Sequence, residues 1–336
     1  NLKRLRELEC IRIPSLEGTS GICFPSTLEK LHLLPRRSAD FSQTNLKSLE
    51  RLTKLSISSE WSILEELPRN LEFLYLEEPT KHHRPTKESD TNKPIRLENL
   101  RELRLDGFGK MDGVYCPKLE RLSFDSDYRC TNLKEACPNL KVLNLLFCGP
   151  DYLHNLPNLH TFTSTRGSIR NPDGNYNLPT SLEVLKLCQF DFDDENIKQL
   201  NLTELTKLKK LDISRNRLTK LTSDLFPSSL TELNASWNRF SEIDLKNLES
   251  LQKLNISQAK FESISDWRIS LPNLESLFMV ESYGDVLPDI TRAIDNCDHL
   301  KYAFLGDVKI MDTPTLIKSK CKDKIGHVVS VGGKII

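Results

Sequence analysis

The sequence predicts an α/β solenoid, in which similar units stack and each contributes one strand to a parallel sheet. Two observations carry this prediction. A leucine phrase returns along the chain, as in LTKLKKLDIS at 205–214 and LESLQKLNIS at 248–257. It returns roughly every twenty to thirty residues over nearly the whole chain, a period typical of repeat proteins. Function is therefore expected on the surface that the stack builds.

Each phrase is expected to form a short strand. Written as L-x-x-L-x-x-L-x-L, it places the second-last apolar position at Ile11, Leu31, Leu55, Leu74, Leu103, Leu122, Leu143, Phe162, Leu185, Leu211, Leu233, Leu254, Leu277 and Ala303. In x-L-x-L-x the period of two puts both leucines on one face and the x residues on the other. The leucines should fill a shared interior, while the x residues form an exposed sheet face.

The segments between strands are expected to form a convex side of turns, short helices or extended stretches, with the sheet on the concave face of a horseshoe. Units such as LPRNLEFLYL and FPSSLTELNA begin with an apolar residue and proline. Proline stops a preceding helix, so these units predict extended outer segments. Asn216 and Asn238 follow two strands at the same distance, where a buried amide could bond the backbone of successive turns.

These features resemble leucine-rich repeats. ACPNLKVLNLLFC (136–148) resembles the cysteine-containing repeats of F-box proteins, and CPKLERLSF and CDHLKYAFL match that subtype in part. The proline-containing units resemble repeats of fungal and amoebal proteins and, less closely, those of bacterial effectors. The F-box resemblance implies the substrate-binding part of a ubiquitin ligase receptor. The alternatives are a scaffold or regulatory subunit of a kinase or phosphatase pathway, or the targeting array of an enzyme whose catalytic domain lies elsewhere.

The domain prediction is a repeat array over 1–311 and a C-terminal cap, a helix plus a strand, over 312–336. Charges and prolines without an apolar face predict a projecting loop near 77–98. Lys81, His82, His83 and Arg84 in that loop could contact phosphate or a metal, but no third ligand is in sight, so a solvated loop is favoured. Because the phrase is already under way at Asn1, we expect a monomeric module of a larger protein or complex.

Composition restricts the partners and the compartment. Lys plus Arg and Asp plus Glu both number 47, so no whole-molecule field attracts nucleic acid, and no apolar run is long enough for a membrane. We therefore expect a protein partner on the concave face, no specific nucleic acid and no membrane. Nine scattered cysteines without a C-x-x-C pair favour a cytoplasmic or nuclear protein. Cys116, Cys137 and Cys297 replace leucine in their repeats and are expected in the core.

No catalytic motif is present in the sequence: G-x-S-x-G, H-E-x-x-H and G-x-x-x-x-G-K-[ST] are all absent. The seven histidines are dispersed. The prediction is a non-enzymatic protein without cofactor or metal.

Two groups of x residues are candidate partner-binding sites. The first combines aromatic anchors with alternating charge, as interface hot spots do: Phe73, Tyr75, Glu102, Arg104, Asp106, Arg121 and Asp125. Its alternative is an ordinary charged sheet face with weak ion pairs. The second, Phe278, Tyr302 and Phe304, would be an exposed apolar patch. Its alternatives are cover by the C-terminal tail, or a register shifted by one at Ala303 that makes these side chains core.

Overall fold

The structure is a computed structural model that describes residues 3–11, 22–34, 41, 44–78, 94–108, 111, 113–125, 133–167, 176–261, 267–280, 283–284, 297–305 and 327–329. The chain divides into two compact units, Asn1–Cys148 and Gly149–Ile336. Each unit is built as a parallel-sheet solenoid with short helices, as the sequence predicts.

The first unit is organised around a parallel sheet to which each repeat gives one five-residue strand. Its strands are β1 Glu7–Ile11, β2 Lys30–Leu34, β3 Lys54–Ser58, β4 Phe73–Glu77, β5 Ile95–Arg96, β6 Glu102–Asp106, β7 Val114–Tyr115, β8 Arg121–Asp125 and β9 Val142–Leu146. The main sheet has the order β1-β2-β3-β4-β6-β8-β9, and β5 pairs separately with β7. Short helices lie at Leu46–Ser48, Trp61–Glu66 and Leu133–Ala136.

The predicted leucine register is confirmed from the second repeat onward in this unit. The second-last apolar residues of neighbouring repeats are direct partners in the sheet, and all have at most 1% of their surface exposed: Leu31, Leu55, Leu74, Leu103, Leu122 and Leu143. The hydrophobic core is thus a stack of leucines that neighbouring repeats share.

The first repeat corrects the prediction. Leu8, not Ile11, is the partner of Leu31, and Cys10 is the partner of Leu33. The phrase fits the local sequence in both positions, because apolar residues follow one another at a spacing of three from Leu5 to Ile11. Pairing with β2 decides between them.

The second unit has a main sheet and two smaller ones. Its strands are β10 Thr161–Thr165, β11 Val184–Cys188, β12 Lys210–Asp212, β13 Lys220–Thr222, β14 Glu232–Asn234, β15 Glu242–Leu245, β16 Lys253–Asn255, β17 Lys260–Phe261, β18 Trp267–Ile269, β19 Ser276–Met279, β20 Tyr283–Gly284, β21 Tyr302–Leu305 and β22 His327–Val329. The main sheet has the order β10-β11-β12-β14-β16-β19-β21-β22, while β13-β15-β18 and β17-β20 pair separately. Short 3-10 helices lie at Pro150–Asn155, Ile197–Leu200, Leu202–Glu204 and Ser223–Leu225.

The register of this unit is confirmed at every predicted position. Direct partners run from repeat to repeat through Phe162, Leu185, Leu211, Leu233, Leu254, Leu277 and Ala303. Ala303 is fully buried, whereas its neighbour Tyr302 is 43% exposed. The alternative of a register shifted by one residue at Ala303 is therefore wrong.

The outer segments differ in part from their prediction. In the LPRNLEFLYL unit, a 3-10 helix at Trp61–Glu66 precedes the proline, so the predicted extended segment is wrong there. The helix ends at the residue before Leu67, and Pro68 follows, which agrees with the role of proline in stopping a helix. In the FPSSLTELNA unit, strand β13 is followed by a one-turn helix, Ser223–Leu225, and Pro227 comes two residues after that helix.

Asn216 and Asn238 are buried and bond the backbone as predicted. The Asn216 amide nitrogen donates to the carbonyls of Leu187 and Ile213 at 3.1 and 2.8 Å, and its oxygen accepts from the Phe190 amide at 2.9 Å. The Asn238 amide oxygen accepts in the same way from the Leu218 amide at 3.1 Å. These side chains satisfy turn backbone that no strand pairs.

The predicted loop near 77–98 lies only partly among the described residues. Residues 79–93, with Lys81, His82, His83 and Arg84, lie outside the described residues. Near the far end of the predicted loop, Ile95–Arg96 forms strand β5 and pairs with Val114–Tyr115. The predicted cap helix also lies outside the described residues. The predicted final strand is present as β22, beside β21.

Among the described residues, no helix combines the length and the apolar composition that spanning a membrane would require.

Candidate functional site

The first predicted group comes together on three adjacent strands of the first unit. Phe73 and Tyr75 lie on β4, Glu102, Arg104 and Asp106 on β6, and Arg121 and Asp125 on β8. The register makes Glu102 the direct partner of both Phe73 and Arg121, and Arg104 the partner of Tyr75. Asp125 pairs with Asp106 through the backbone. Six of these residues alternate with buried residues of their strands, and they share one side of the sheet, which we call the Arg104 face: Phe73, Tyr75, Glu102, Arg104, Asp106 and Arg121.

The centre of the Arg104 face is an arginine held on two sides. The Arg104 Nη2 atom lies 2.6 Å from Glu102 Oε1, and its Nε donates to the same oxygen at 2.7 Å. The guanidinium carbon lies 5.7 Å from the centre of the Phe73 ring. The Arg104 side chain nevertheless keeps 56% of its surface exposed. The arrangement orients a guanidinium while leaving donors available to a partner.

Tyr75 is the second anchor of this face. Its hydroxyl donates to Asp106 Oδ2 at 3.4 Å, across the strand pair β4–β6. Tyr75 is half-buried, and its direct partner on the neighbouring strand is the exposed Arg104. A ring whose hydroxyl is bonded and whose body is partly packed presents apolar area at low entropic cost.

The edge of the Arg104 face at the carboxyl ends of the strands is closely packed. The Glu78 amide donates to the carbonyl of Asp106 at 2.8 Å. Gly107 follows with a φ of +88°, and a Cβ there would lie 2.9 Å from the Glu78 Cβ. Burial, and then the charge of Glu60, raise the pKa of Glu78 above its ordinary value. The face therefore ends at a fixed boundary rather than in a loose turn.

The second predicted group forms an apolar patch on the main sheet of the second unit. The rings of Phe278 and Phe304 stack at 4.6 Å between centroids, with 4° between their planes. Tyr302 is 43% exposed, and both phenylalanines are half-buried. These side chains lie on the solvent side, opposite Ala303. The tail residues 306–326 lie outside the described residues, so cover by the tail stays a prediction.

A cleft of about 780 Å³ adjoins the small β13-β15-β18 sheet of the second unit. Its lysines each lie beside a carboxylate: Lys198–Glu195 at 2.9 Å, Lys220–Glu242 at 3.1 Å and Lys246–Asp244 at 3.0 Å. Because opposite charges are paired within the cleft, it offers a mixed polar surface and no site for a single ion. Within the described ranges, no three His, Cys, Asp or Glu side chains are placed to hold a metal.

One surface was missed by the sequence analysis. In the second unit, the Arg215 guanidinium carbon lies 4.6 Å from the centre of the Trp237 ring. Both residues directly precede the asparagines of the turns, in the segments SRNR and SWNR. The shared position directly before each asparagine is the sequence signal for this surface. It lies outside the strand positions from which the candidate sites were predicted.

Comparison with known proteins supports the fold. A family model for the leucine-rich-repeat domain of the endo-beta-N-acetylglucosaminidase EndoS matches residues 181–281. The structure of internalin InlF from Listeria monocytogenes is 21% identical, with 99% of this chain and 88% of that chain covered and a TM-score of 0.58. These values describe a shared fold.

Two further structures are similar over most of this chain but about half of their own length. TLR13, in a complex with ssRNA13, is 19% identical, with 98% of this chain and 53% of that chain covered and a TM-score of 0.57. CroV588, a circular leucine-rich-repeat protein, is 16% identical, with 91% and 47% covered and a TM-score of 0.57. The resemblance to F-box proteins stays a prediction. The leucine register, the parallel sheets and these similarities identify the fold as a leucine-rich-repeat solenoid.

Proposed function

We propose that the chain is a protein-recognition module that binds its partner on the Arg104 face. The observation that carries the proposal is the placement of Arg104 between the Phe73 ring and the Glu102 carboxylate. A guanidinium already oriented in the unbound protein loses less side-chain entropy on binding. Arginine and tyrosine are also the side chains that contribute most at interface centres. Leucine-rich-repeat folds in general serve as interaction surfaces, which agrees with this function.

The chemistry of the face indicates what kind of surface it would accept. Acidic and basic side chains alternate around two aromatic rings, with the exposed Arg121 beside Glu102. A partner must therefore supply charges of both signs in a fixed arrangement, together with apolar contacts to Phe73 and Tyr75. Because the whole chain has a formal net charge of zero, selection depends on this local pattern.

The specific form of this function that we propose is the substrate-binding part of an F-box-type ubiquitin ligase receptor in the cytoplasm or nucleus. Its support is the cysteine-type repeat: Cys116 and Cys137 are fully buried, and Cys297 is 3% exposed. These thiols fill leucine positions in the core, as the resemblance implies.

The recognition function is tested by quantitative capture of a partner identified by cross-linking and mass spectrometry. Arg104→Glu and Tyr75→Ala should each weaken binding by about tenfold or more, since each removes an anchor. Arg69→Glu is the matched control, because it makes the same charge change at an exposed turn of the repeat that precedes Arg104. Equal binding by all three variants and the unmodified protein would show that the partner binds elsewhere.

The F-box form has a separate test. The full-length protein should co-purify with a cullin adaptor, and its sequence should contain an F-box. A full-length sequence without an F-box rejects the ligase receptor. The recognition function would then stand or fall on the Arg104 variants alone.

A further inference from the structure

A column of left-handed residues runs along the carboxyl edge of the main sheet in the second unit. In five successive repeats, the residue four positions after the buried second-last apolar residue of the leucine phrase has a positive φ: Arg166 at 59°, Gln189 at 60°, Arg215 at 58°, Trp237 at 58° and Gln258 at 52°. Residues other than glycine adopt this conformation uncommonly. Since neighbouring strands lie about 5 Å apart, the column brings one side chain per repeat into line.

Neighbouring side chains of this column contact each other. The Arg166 Nε donates to Gln189 Oε1 at 3.3 Å, and Arg215 stacks over Trp237. Arg217 and Arg239 follow Arg215 and Trp237 by two residues each, so they occupy equivalent positions of successive repeats. The column and these two arginines form what we call the arginine edge.

The arginine edge carries positive charge that is not compensated. Elsewhere in the unit, several exposed lysines have acidic partners: Lys210 and Lys253, for example, lie 3.0 and 3.2 Å from Glu232. On the edge, only Arg217 is paired, with Asp191 at 3.0 Å. Within the described part of the chain, the edge's other arginines, Arg166, Arg215 and Arg239, make no ion pair. Among the described residues, three arginines without an ion pair thus lie along one line of a chain whose formal net charge is zero.

A shallow groove of about 320 Å³ runs along this edge. Arg215, Arg217, Arg239 and Trp237 are among its lining residues, together with Asn216 and Asn238. The two asparagines are buried and fully engaged with the backbone, so this part of the lining is rigid. Trp237 leaves 41% of its surface exposed above it.

We propose that the arginine edge binds an acidic peptide segment of a partner protein, with one aromatic or large apolar side chain packed against Trp237. Guanidinium groups bond carboxylates through paired N–H donors, which suits arginine rather than lysine at such a site. Trp237 is the single aromatic residue in the described column. A single-stranded nucleic acid would need several aromatic side chains on which successive bases stack, whereas the described column provides a single one, Trp237. Charge and aromatic content together favour the peptide.

The proposal is tested with a fluorescently labelled peptide of aspartates and glutamates around one central phenylalanine. Fluorescence anisotropy should show saturable binding that weakens when salt rises from about 50 mM to about 300 mM, because screening shortens the range of the arginine charges. Replacing the central phenylalanine by alanine should weaken binding to the unmodified protein but not to the Trp237→Ala variant.

Charge variants distinguish a specific edge from general attraction. Arg239→Glu should weaken peptide binding by about tenfold, corresponding to loss of one charge-assisted contact and gain of a repulsion. It leaves the Arg215–Trp237 stack in place. Lys207→Glu is the control, because it reverses a charge at the opposite edge of the same sheet and should leave the affinity unchanged. All variants should keep the circular dichroism melting temperature of the unmodified protein.

Three outcomes would overturn the proposal. They are absence of peptide binding by the unmodified protein, equal weakening by Arg239→Glu and Lys207→Glu, and tighter binding of an oligouridylate than of the peptide with the same dependence on Arg239 and Trp237. None of them concerns the Arg104 face, whose variants are measured against a different partner. The two proposals can therefore fail independently.

Discussion

The side chains of Asn216 and Asn238 donate to the same backbone carbonyl, that of Ile213, at 2.8 and 3.1 Å. Asn216 reaches it from within its own turn, whereas Asn238 reaches it from the next repeat. Asn216 in turn bonds Leu187 of the preceding repeat at 3.1 Å. Each asparagine thus ties its own turn to the one before it, where no strand pairing satisfies the backbone.

Asn216→Ala should therefore be strongly destabilising. It would leave the amides of Phe190 and Phe192 and the carbonyl of Leu187 without this partner. At about 1 to 3 kcal/mol for each buried group left unsatisfied, a loss on the order of 3 kcal/mol is expected in urea denaturation. Asn273→Ala is the control, since Asn273 is exposed and donates one bond, to Glu249. Similar losses for both variants would contradict the role of the buried amide.

Leu143→Ala should destabilise the first unit through loss of a core side chain. Leu143 is fully buried, so truncation is expected to cost roughly 2 to 5 kcal/mol in the free energy of unfolding. Tyr75→Ala, on the sheet face, should leave the melting temperature nearly unchanged. If thermal denaturation gives the same loss for both, the assignment of inward and outward residues is wrong.

Gly107→Ala should cost more than Gly113→Ala. Both glycines have positive φ, +88° and +75°, so an added Cβ strains the backbone by about 1 kcal/mol in each case. Only at Gly107 does the Cβ also approach another atom, the Glu78 Cβ at 2.9 Å; at Gly113 nothing lies within 4 Å. The difference between the two denaturation midpoints isolates the contact. A null difference would mean that Glu78 moves aside freely.

Alkylation should distinguish the half-buried Cys188 and the buried Cys297 from the exposed Cys23. Burial raises the pKa of Cys188 to about 11 and that of Cys297 to about 11. The thiolate is the reactive form, so at pH 8 both should react with iodoacetamide far more slowly than the exposed Cys23. Peptide mass spectrometry gives the order, and the urea-unfolded chain provides the control in which the rates converge. Rapid labelling of Cys297 in the native protein would contradict its burial.

Glu232→Gln should lower stability at neutral pH and not in acid. Partial burial raises the pKa of Glu232, but hydrogen bonds from Lys210 and Lys253 outweigh it and hold the pKa below its ordinary value. A carboxyl with a depressed folded pKa stabilises above its unfolded pKa, near 4.3, and loses this contribution as pH falls through the folded pKa. The free energies of unfolding of the variant and the unmodified protein, obtained from melting curves, should differ by at most about 1 kcal/mol at pH 7. The two values should converge below pH 4. A difference that persists in acid would assign the effect to packing.

The repeat register could be predicted because it depends on local apolar spacing. Leu31 and Ala303 were both placed correctly, although alanine is a weak signal, because the neighbouring repeats fix the period. At Leu8 the same reasoning failed. There a second apolar series fits equally well, and only pairing with Leu31 of the next strand decides between them.

The contacts of the candidate surfaces could be predicted less well. Phe73, Glu102 and Arg104 were assigned to one face, yet the position of Arg104 against both depends on side-chain conformations that no spacing specifies. Trp237 was missed for another reason. Its exposure follows from a left-handed backbone after the strand, and tryptophan carries no propensity that signals such a conformation.

The spacing of side chains along the left-handed column differs from the spacing of residues in an extended peptide lying along it. The column advances about 4.8 Å with each repeat, whereas an extended peptide advances about 3.3 Å with each residue. Two repeats therefore span about three peptide residues, so the two spacings coincide only at intervals. In a peptide bound in this direction, about every third residue would therefore occupy an equivalent position along the edge. Inserting or deleting a single residue in it would move every later side chain out of step with the edge.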